Sequence, residues 1–376
     1  MQLVMFLITL GLFLIGSFLV TYFVIPKIIK VVSYKKLLDE PNNRSSHKKV
    51  TPTLGGVAFY ITIILSFFFL KKWDSDLFSL NLMVSITVLF IIGLKDDLIA
   101  ISAKTKALAQ ILAISFLVFD NGLMTDTLGG FLGITNVNYW TYLVFVYFAI
   151  FFIINSYNLI DGIDGLASSV GIMIFTLYSI IFYLLGENYY FFLCIVIIGT
   201  LLAFLSFNLS EKRKIFMGDT GSMIIGFLIA LLTFKILTYN YKIDKIDIPS
   251  ENLIIILTSI ISIPVLDTVR VFIIRTINKK SFFIADRNHV HHVFVDQGLS
   301  HRRATFFIVF INLIITTIIY LLSSVLNSFA LLFVFLLLSV VFYMVLFYFN
   351  MKKNENQELR PNFLNKIAKT ILNFFL

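Results

Sequence analysis

The sequence predicts an all-α, polytopic integral membrane protein, and three observations carry that prediction. Of the 376 residues 59% are hydrophobic and only 14% charged, with a mean hydropathy of +0.94. That is more apolar surface than a soluble domain can hide. The apolar residues gather into about eleven runs long enough to cross a bilayer, and the basic residues fall in alternate loops between those runs. The formal net charge of +9 could suggest nucleic acid, but the placement of the charges follows membrane topology instead, and nucleic acid is not expected as a partner. Cys194 lies inside an apolar run, so neither a disulfide framework nor a Cys-based metal site is available.

The first run, residues 3–25, is too long for the apolar region of a cleaved signal peptide and is followed by "PKIIKVVSYKK" rather than by a small-residue cleavage pattern. It reads as a retained signal anchor. The remaining expected spans are 54–70, 80–95, 106–119, 140–157, 166–185, 189–207, 222–239, 253–274, 305–323 and 327–349. The loops 26–53, 95–106, 208–221 and 270–304, with the tail after 350, hold 25 of the 30 Lys and Arg. The other loops hold only Lys71, Lys72, Lys242 and Lys245, while Lys235 lies within a span. By the positive-inside rule the N-terminus is outside, the C-terminus is cytoplasmic and the number of spans is odd. One transmembrane catalytic domain is expected over 1–349, with cytoplasmic active-site loops. A basic cytoplasmic tail over 350–376 is expected to end in an amphipathic stretch that lies on the inner leaflet or is simply solvated.

That topology puts five polar stretches on one face: "DEPNNRSSHKKVTPTLGG", "GLKDDL", "NSYNLIDGIDG", "FMGDTGS" and "DRNHVHHVFVDQG". Ionisable groups at a membrane boundary are costly and point to function, so the five loops read as one composite site. In the third stretch Asn155, Asn158, Asp161 and Asp164 stand against an apolar run. Asn158, Asp161 and Asp164 share one helical face, while Gly162 and Gly165 leave room for close approach by a ligand. Oxygen ligands of this kind suit Mg²⁺; a capping turn would explain one such residue but not four. Asp96 and Asp97 are adjacent acids, which raise one another's pKa, so that one can serve as a general base. Asp219, between glycines at the start of an apolar helix, is placed to hold a metal bound to an anion, with the N–H groups of that turn open to the anion. Phe216 can stack on a flat base. His289, His291 and His292 suit hydrogen bonds to sugar or phosphate better than zinc. His47, Lys48 and Lys49 can pair with phosphate or serve only as basic anchors, and Gly55 and Gly56 permit close packing. Asp267 and Arg270, three apart, read as a structural ion pair with no catalytic role.

The five stretches occur in the order typical of the polyprenyl-phosphate N-acetylhexosamine-1-phosphate transferases, glycosyltransferase family 4, which the chain resembles over residues 26–304. The His-Val-His-His spacing is similar to the branch that starts O-antigen, enterobacterial common antigen and teichoic acid glycans; the peptidoglycan branch usually carries consecutive histidines. The resemblance implies a multi-pass enzyme of the bacterial inner membrane. Its partners would be undecaprenyl phosphate and a UDP-N-acetylhexosamine, most simply UDP-N-acetylglucosamine, and its cofactor Mg²⁺, with Mn²⁺ as a substitute. By motif position, Asp219 resembles the main metal ligand, with Asn158 or Asp161 beside it. Asp96 or Asp97 would keep the lipid phosphate ionised and aimed. Asp164 and Phe216 resemble the uridine-binding positions, and His289, His291 and His292 would contact the sugar or its phosphates.

Two other classes fit less well. A secondary transporter would place its polar sites near the bilayer midplane in broken, repeated helices, whereas these acids cluster at span ends. A non-catalytic binding protein could lose acids, and every acid of the five motifs is present. The sugar, the downstream glycan and pairing into a homodimer stay open at this level.

Overall fold

The computed structural model describes residues 2–35, 38–39, 51–74, 78–119, 122–239, 243, 248–279 and 289–355. Nearly all of them are helical. In chain order the helices are α1 (Gln2–Tyr34), α2 (Gly55–Leu70), α3 (Phe78–Leu98), α4 (Ala103–Val118), α5 (Tyr139–Ile160), α6 (Leu166–Leu185), α7 (Asn188–Asn208), α8 (Gly218–Thr238), α9 (Leu253–Ile260), α10 (Ser262–Ile277), α11 (Val290–Asp296), α12 (His301–Ser323) and α13 (Ser328–Glu355). Between α1 and α2, strands β1 (Leu38–Asp39) and β2 (Thr51–Pro52) pair antiparallel, Leu38 opposite Pro52.

Among the described residues nine helices are long and apolar enough to cross a membrane, which makes this a multi-pass membrane protein. Large apolar side chains such as Leu12, Phe68, Val144 and Phe333 stand exposed, as lipid-facing positions of a membrane bundle do. Each expected span has a helical counterpart, with two differences. Helix α4 has 16 residues, about 24 Å against a hydrocarbon core of about 30 Å, and falls short of a simple span. The expected span 253–274 is two helices, α9 and α10, bent by 73°.

The bend has an identifiable cause. Pro264 sits in the first turn of α10, where its missing N–H is tolerated, but it cannot donate back to Ile260. Asn312 of α12, fully buried, takes over: its Nδ2 donates to the Ile260 carbonyl at 2.9 Å and its Oδ1 accepts from Ile263 N at 3.1 Å and Ser262 Oγ at 2.8 Å. Thr316 Oγ1, one turn on, donates to the Ser259 carbonyl at 3.0 Å. Backbone groups freed inside a membrane protein need such partners.

Helix α8 occupies the centre. It is buried almost all round, packed against α2, α3, α5 and α6. Two glycines let its first turn be approached closely: a methyl group on Gly56 of α2 would land on the backbone of Gly221, and one on Gly93 of α3 on the backbone of Thr220. The expected close-packing role of the Gly55–Gly56 pair is met here. Near the other end of α8, the intraspan Lys235 donates to the Gly122 carbonyl at 3.1 Å, and its ammonium lies within 5.3–5.6 Å of the ring centres of Phe78, Tyr190 and Tyr239. The bundle thus gathers the ends of α3 and α5 and the starts of α2, α4 and α8 at one pole.

Asn312→Leu keeps side-chain volume but removes the three hydrogen bonds that Asn312 makes to the α9–α10 hinge. It is expected to destabilise the bundle by about 2 kcal/mol or more, read as a lowered thermal unfolding midpoint in detergent; an unchanged midpoint would show that the hinge does not need Asn312.

Candidate active site

Asp96 and Asp97 close the last turn of α3, Lys106 stands in the first turn of α4, Asn158 in the last turn of α5, and Asp219 at the start of α8. These ends meet through specific contacts. Lys106 Nζ lies 2.7 Å from Asp219 Oδ2 and 3.1 Å from Asp96 Oδ2, bridging the two carboxylates. Asn158 Nδ2 donates to Asp219 Oδ1 at 2.6 Å and to Ser222 Oγ at 2.7 Å. The two adjacent acids of α3 point to different partners. Asp96 Oδ1 accepts from Ile101 N at 2.9 Å. Asp97 caps α8, accepting from Asp219 N at 2.7 Å, Thr220 N at 3.0 Å and Thr220 Oγ1 at 2.5 Å.

That capping corrects one expectation: the N–H groups of Asp219 and Thr220 in the "FMGDTGS" turn are taken by Asp97 and are not open to an anion. A second correction concerns Gly162. Its open face is filled by protein, since a methyl group there would land on the His291 imidazole. Gly165 is needed for backbone geometry, at φ +80° as the residue preceding α6.

Asp161 follows directly after α5. Its carboxylate takes no hydrogen bond from any described residue. Burial, and then the negative charges of Asp219, Asp97 and Asp164, push its pKa up from 3.8 to about 7. Asp164, three residues on, is the opposite case. Burial alone would raise it, but the hydrogen bond with His301 and the Lys214 ammonium outweigh burial and hold it below 3.8. The distances are 2.6 Å to Lys214 Nζ and 3.0 Å to His301 Nδ1. Lys214 also lies 5.2 Å from the centre of the Phe216 ring, so Asp164 and Phe216 share one neighbour. Asn208 ties this region together, its Oδ1 accepting from Gly165 N at 2.6 Å and its Nδ2 donating to the Ile215 carbonyl at 2.9 Å.

The "TPTLGG" segment docks on the same turn: Phe216 N donates to the Pro52 carbonyl at 2.8 Å, and Gly55 N and Gly56 N donate to the carbonyls of Phe216 and Met217 at 2.9 Å each. The histidines pack against the Gly162 turn. His289 and His291 stack with ring centres 5.7 Å apart, His292 lies 4.3 Å from His291, and His291 presses on Gly162. Burial, and then His292, push the His291 pKa well below 6.5. The expected Asp267–Arg270 pair forms at 2.8 Å, but Asp267 Oδ2 also contacts His289 Nδ1 at 2.9 Å.

All five polar stretches therefore send residues to one pole. Asn155 is the member engaged elsewhere, its Nδ2 donating to Gln110 Oε1 at 2.9 Å and to the Phe151 carbonyl at 2.8 Å, which ties α5 to α4. His47 and Lys48, with Lys49, lie outside the described residues, as do Asp286 and Arg287. Lys106 and Lys214 carry the counter-charge of the site, His301 sets an imidazole against Asp164, and none of the three was singled out from the sequence. The two lysines are indistinguishable there from topogenic anchors, and His301 was legible only as one more histidine on the basic face.

Among the described residues no three His, Cys, Asp or Glu side chains converge as a ready-made metal cage. The donor set nonetheless fits Mg²⁺, which takes one or two carboxylates and completes its shell with water and phosphate oxygens. Asp219 offers a carboxylate beside the Asn158 amide, and Asp161 offers lone pairs that no described group occupies.

The sequence model described as "Glycosyl transferase family 4" matches residues 79–238. A probable undecaprenyl-phosphate N-acetylglucosaminyl 1-phosphate transferase of Bacillus subtilis (strain 168) is 32% identical over 302 residues, 79% of this chain and 80% of its own. The undecaprenyl-phosphate alpha-N-acetylglucosaminyl 1-phosphate transferase of Escherichia coli O157:H7 is 31% identical over 303 residues, with the same coverage. A phospho-N-acetylmuramoyl-pentapeptide-transferase of Staphylococcus carnosus (strain TM300) is 33% identical over 239 residues, 58% of this chain and 74% of its own.

An acid with a pKa raised from 3.8 to about 7 contributes most to stability below the lower value and loses that contribution as pH rises through the upper one. Asp161→Asn is therefore expected to gain stability relative to the unaltered protein between about pH 4 and about pH 7, then hold that gain. Thermal unfolding in detergent with chelator, across that range, checks it; parallel pH profiles would contradict the assignment.

Proposed function

The chain belongs to glycosyl transferase family 4, and from that premise we propose that it transfers N-acetylglucosamine 1-phosphate from UDP-N-acetylglucosamine to undecaprenyl phosphate at the cytoplasmic face of a bacterial inner membrane. The product would be the first lipid-linked intermediate of a cell-envelope glycan. The observation that carries the reading is the Asp219 centre: acids and Lys106 held together at helix ends, where a membrane-bound phosphate and a soluble nucleotide can meet.

An oxygen of the lipid phosphate bonds to the β-phosphorus of the sugar nucleotide. The bond from that phosphorus to the bridging oxygen breaks, and UMP leaves with the oxygen and its electron pair. Phosphoryl transfer asks chiefly for positioning and charge neutralisation. Mg²⁺, held by Asp219 with Asn158 beside it, would neutralise the diphosphate oxygens when bound. Lys106 supplies a fixed positive charge at the same point. Asp161, at about 7, is matched to the second ionisation of a phosphate monoester, near 6, and can take that proton from the lipid phosphate. Asp96, paired with Lys106, lies beside it, while Asp97 acts through α8 by fixing where Asp219 stands. The Phe216 ring offers a face for uracil next to Asp164 and Lys214, and the histidines reach toward the sugar and its phosphates.

For the bilayer arrangement we propose eleven crossings, counting α4 and the bent α9–α10 pair as one each, with the N-terminus outside. A single Cys placed at Lys242, in a background with Cys194 replaced by Ser, should then label from outside intact cells; labelling only after permeabilisation would invert the topology.

Purified protein given Mg²⁺, undecaprenyl phosphate and UDP-N-acetylglucosamine should release UMP, and Asp219→Ala should release it at least about a hundredfold more slowly. Release confined to UDP-MurNAc-pentapeptide would move the chain to the branch of its staphylococcal relative. Full turnover by Asp219→Ala would remove the metal assignment.

A further inference from the structure

Asp267 is buried to 1% exposure in α10, well away in sequence from the acidic motifs, yet it holds the start of the histidine segment from two directions. Its Oδ2 meets His289 Nδ1 at 2.9 Å, and its two oxygens accept from Val290 N at 3.1 and 3.2 Å. Arg270, one turn on, donates to Oδ1 through Nε at 3.2 Å and Nη2 at 2.8 Å. The carboxylate beside Arg270 can only accept, so the contact requires His289 Nδ1 to carry the hydrogen, which leaves Nε2 as the ring nitrogen able to face a ligand. The His289 ring lies parallel to that of His291, 8° between planes, and His291 in turn fills the space over Gly162, next to Asp161. A side chain and a backbone amide fixed by one carboxylate leave the segment little freedom to rotate or slide.

Resting on the reaction proposed above, we propose that Asp267 is a positioning residue of the active site, which sets the ring orientation and tautomer of His289 and thereby aims His291 at the Asp161 turn. The pair with Arg270 is then the clamp's foundation and not its whole purpose. Asp267 touches no reacting atom in this scheme; it acts through the histidines, as an outer carboxylate commonly orients a functional imidazole.

Asp267→Asn keeps the shape and can still accept from Val290 N, but it offers His289 the wrong partner. Two measurements decide the matter. Turnover of UDP-N-acetylglucosamine and undecaprenyl phosphate is compared for Asp267→Asn, His289→Gln and the double variant. Each single variant is expected to lose about ten- to a hundredfold in kcat, with KM for the lipid little changed, and the double variant to be no slower than the slower single one. Losses that multiply, or wild-type turnover by Asp267→Asn, would overturn the proposal. Independently of activity and of the folding of any Asp267 variant, ¹⁵N-histidine NMR of the unaltered protein should show a protonated, exchange-protected Nδ1 that disappears in His289→Gln. Its absence would overturn the proposal even if UMP is released. Its presence in a protein that releases no UMP would instead sink the reaction and keep the clamp.

Discussion

The bridge from Lys106 to Asp96 and Asp219 is the interaction on which the site depends. Asp96, Asp97, Asp161 and Asp219 are brought to one pole of a largely apolar bundle, where mutual repulsion and loss of water both oppose ionised carboxylates. A single ammonium 2.7 and 3.1 Å from two of them lets α3, α4 and α8 end side by side. Asp97 lies against the positive end of α8 and closes that helix's N–H groups, which offsets part of the cost of its burial. Asp161 has neither device, and burial, followed by the charges of Asp219, Asp97 and Asp164, pushes its pKa up to about 7.

The same pole is built on close packing. Helix α8 can be buried almost all round only because glycines of α2 and α3 let backbones touch its first turn, in the manner of small-residue contacts between membrane helices. The sharp bend between α9 and α10 is closed by Asn312, and from α10 beyond it Asp267 reaches the histidine segment. A polar side chain in the membrane region thus serves the site at one remove, by satisfying the backbone that the turn exposes.

The structure and the family membership support each other at the level where each is informative. Relatives that cover four-fifths of their own length against this chain carry names that describe sugar-1-phosphate transfer to undecaprenyl phosphate. The geometry contributes acids, a fixed cation, an aromatic face and an imidazole cluster on one pole, which are the parts such a transfer calls for.

The multi-pass helical class, the approximate spans and the gathering of five polar stretches were legible in the sequence. Hydrophobic length, basic-residue placement and motif spacing are local properties, readable along one dimension. The identity of the counter-charges was not. Lys106 bridges Asp219 across 113 positions and Lys214 reaches Asp164 across 50, and nothing local marks either residue. Two further contacts were not legible either: Asp97 caps α8, and Asp267, besides forming the expected pair with Arg270, meets His289 Nδ1. The sequence by itself determined which groups the protein would have to bury at a membrane surface. Only the tertiary structure decided which group neutralises which, because hydrogen bonds and ion pairs act over a few ångströms and those distances are set by how the helices pack.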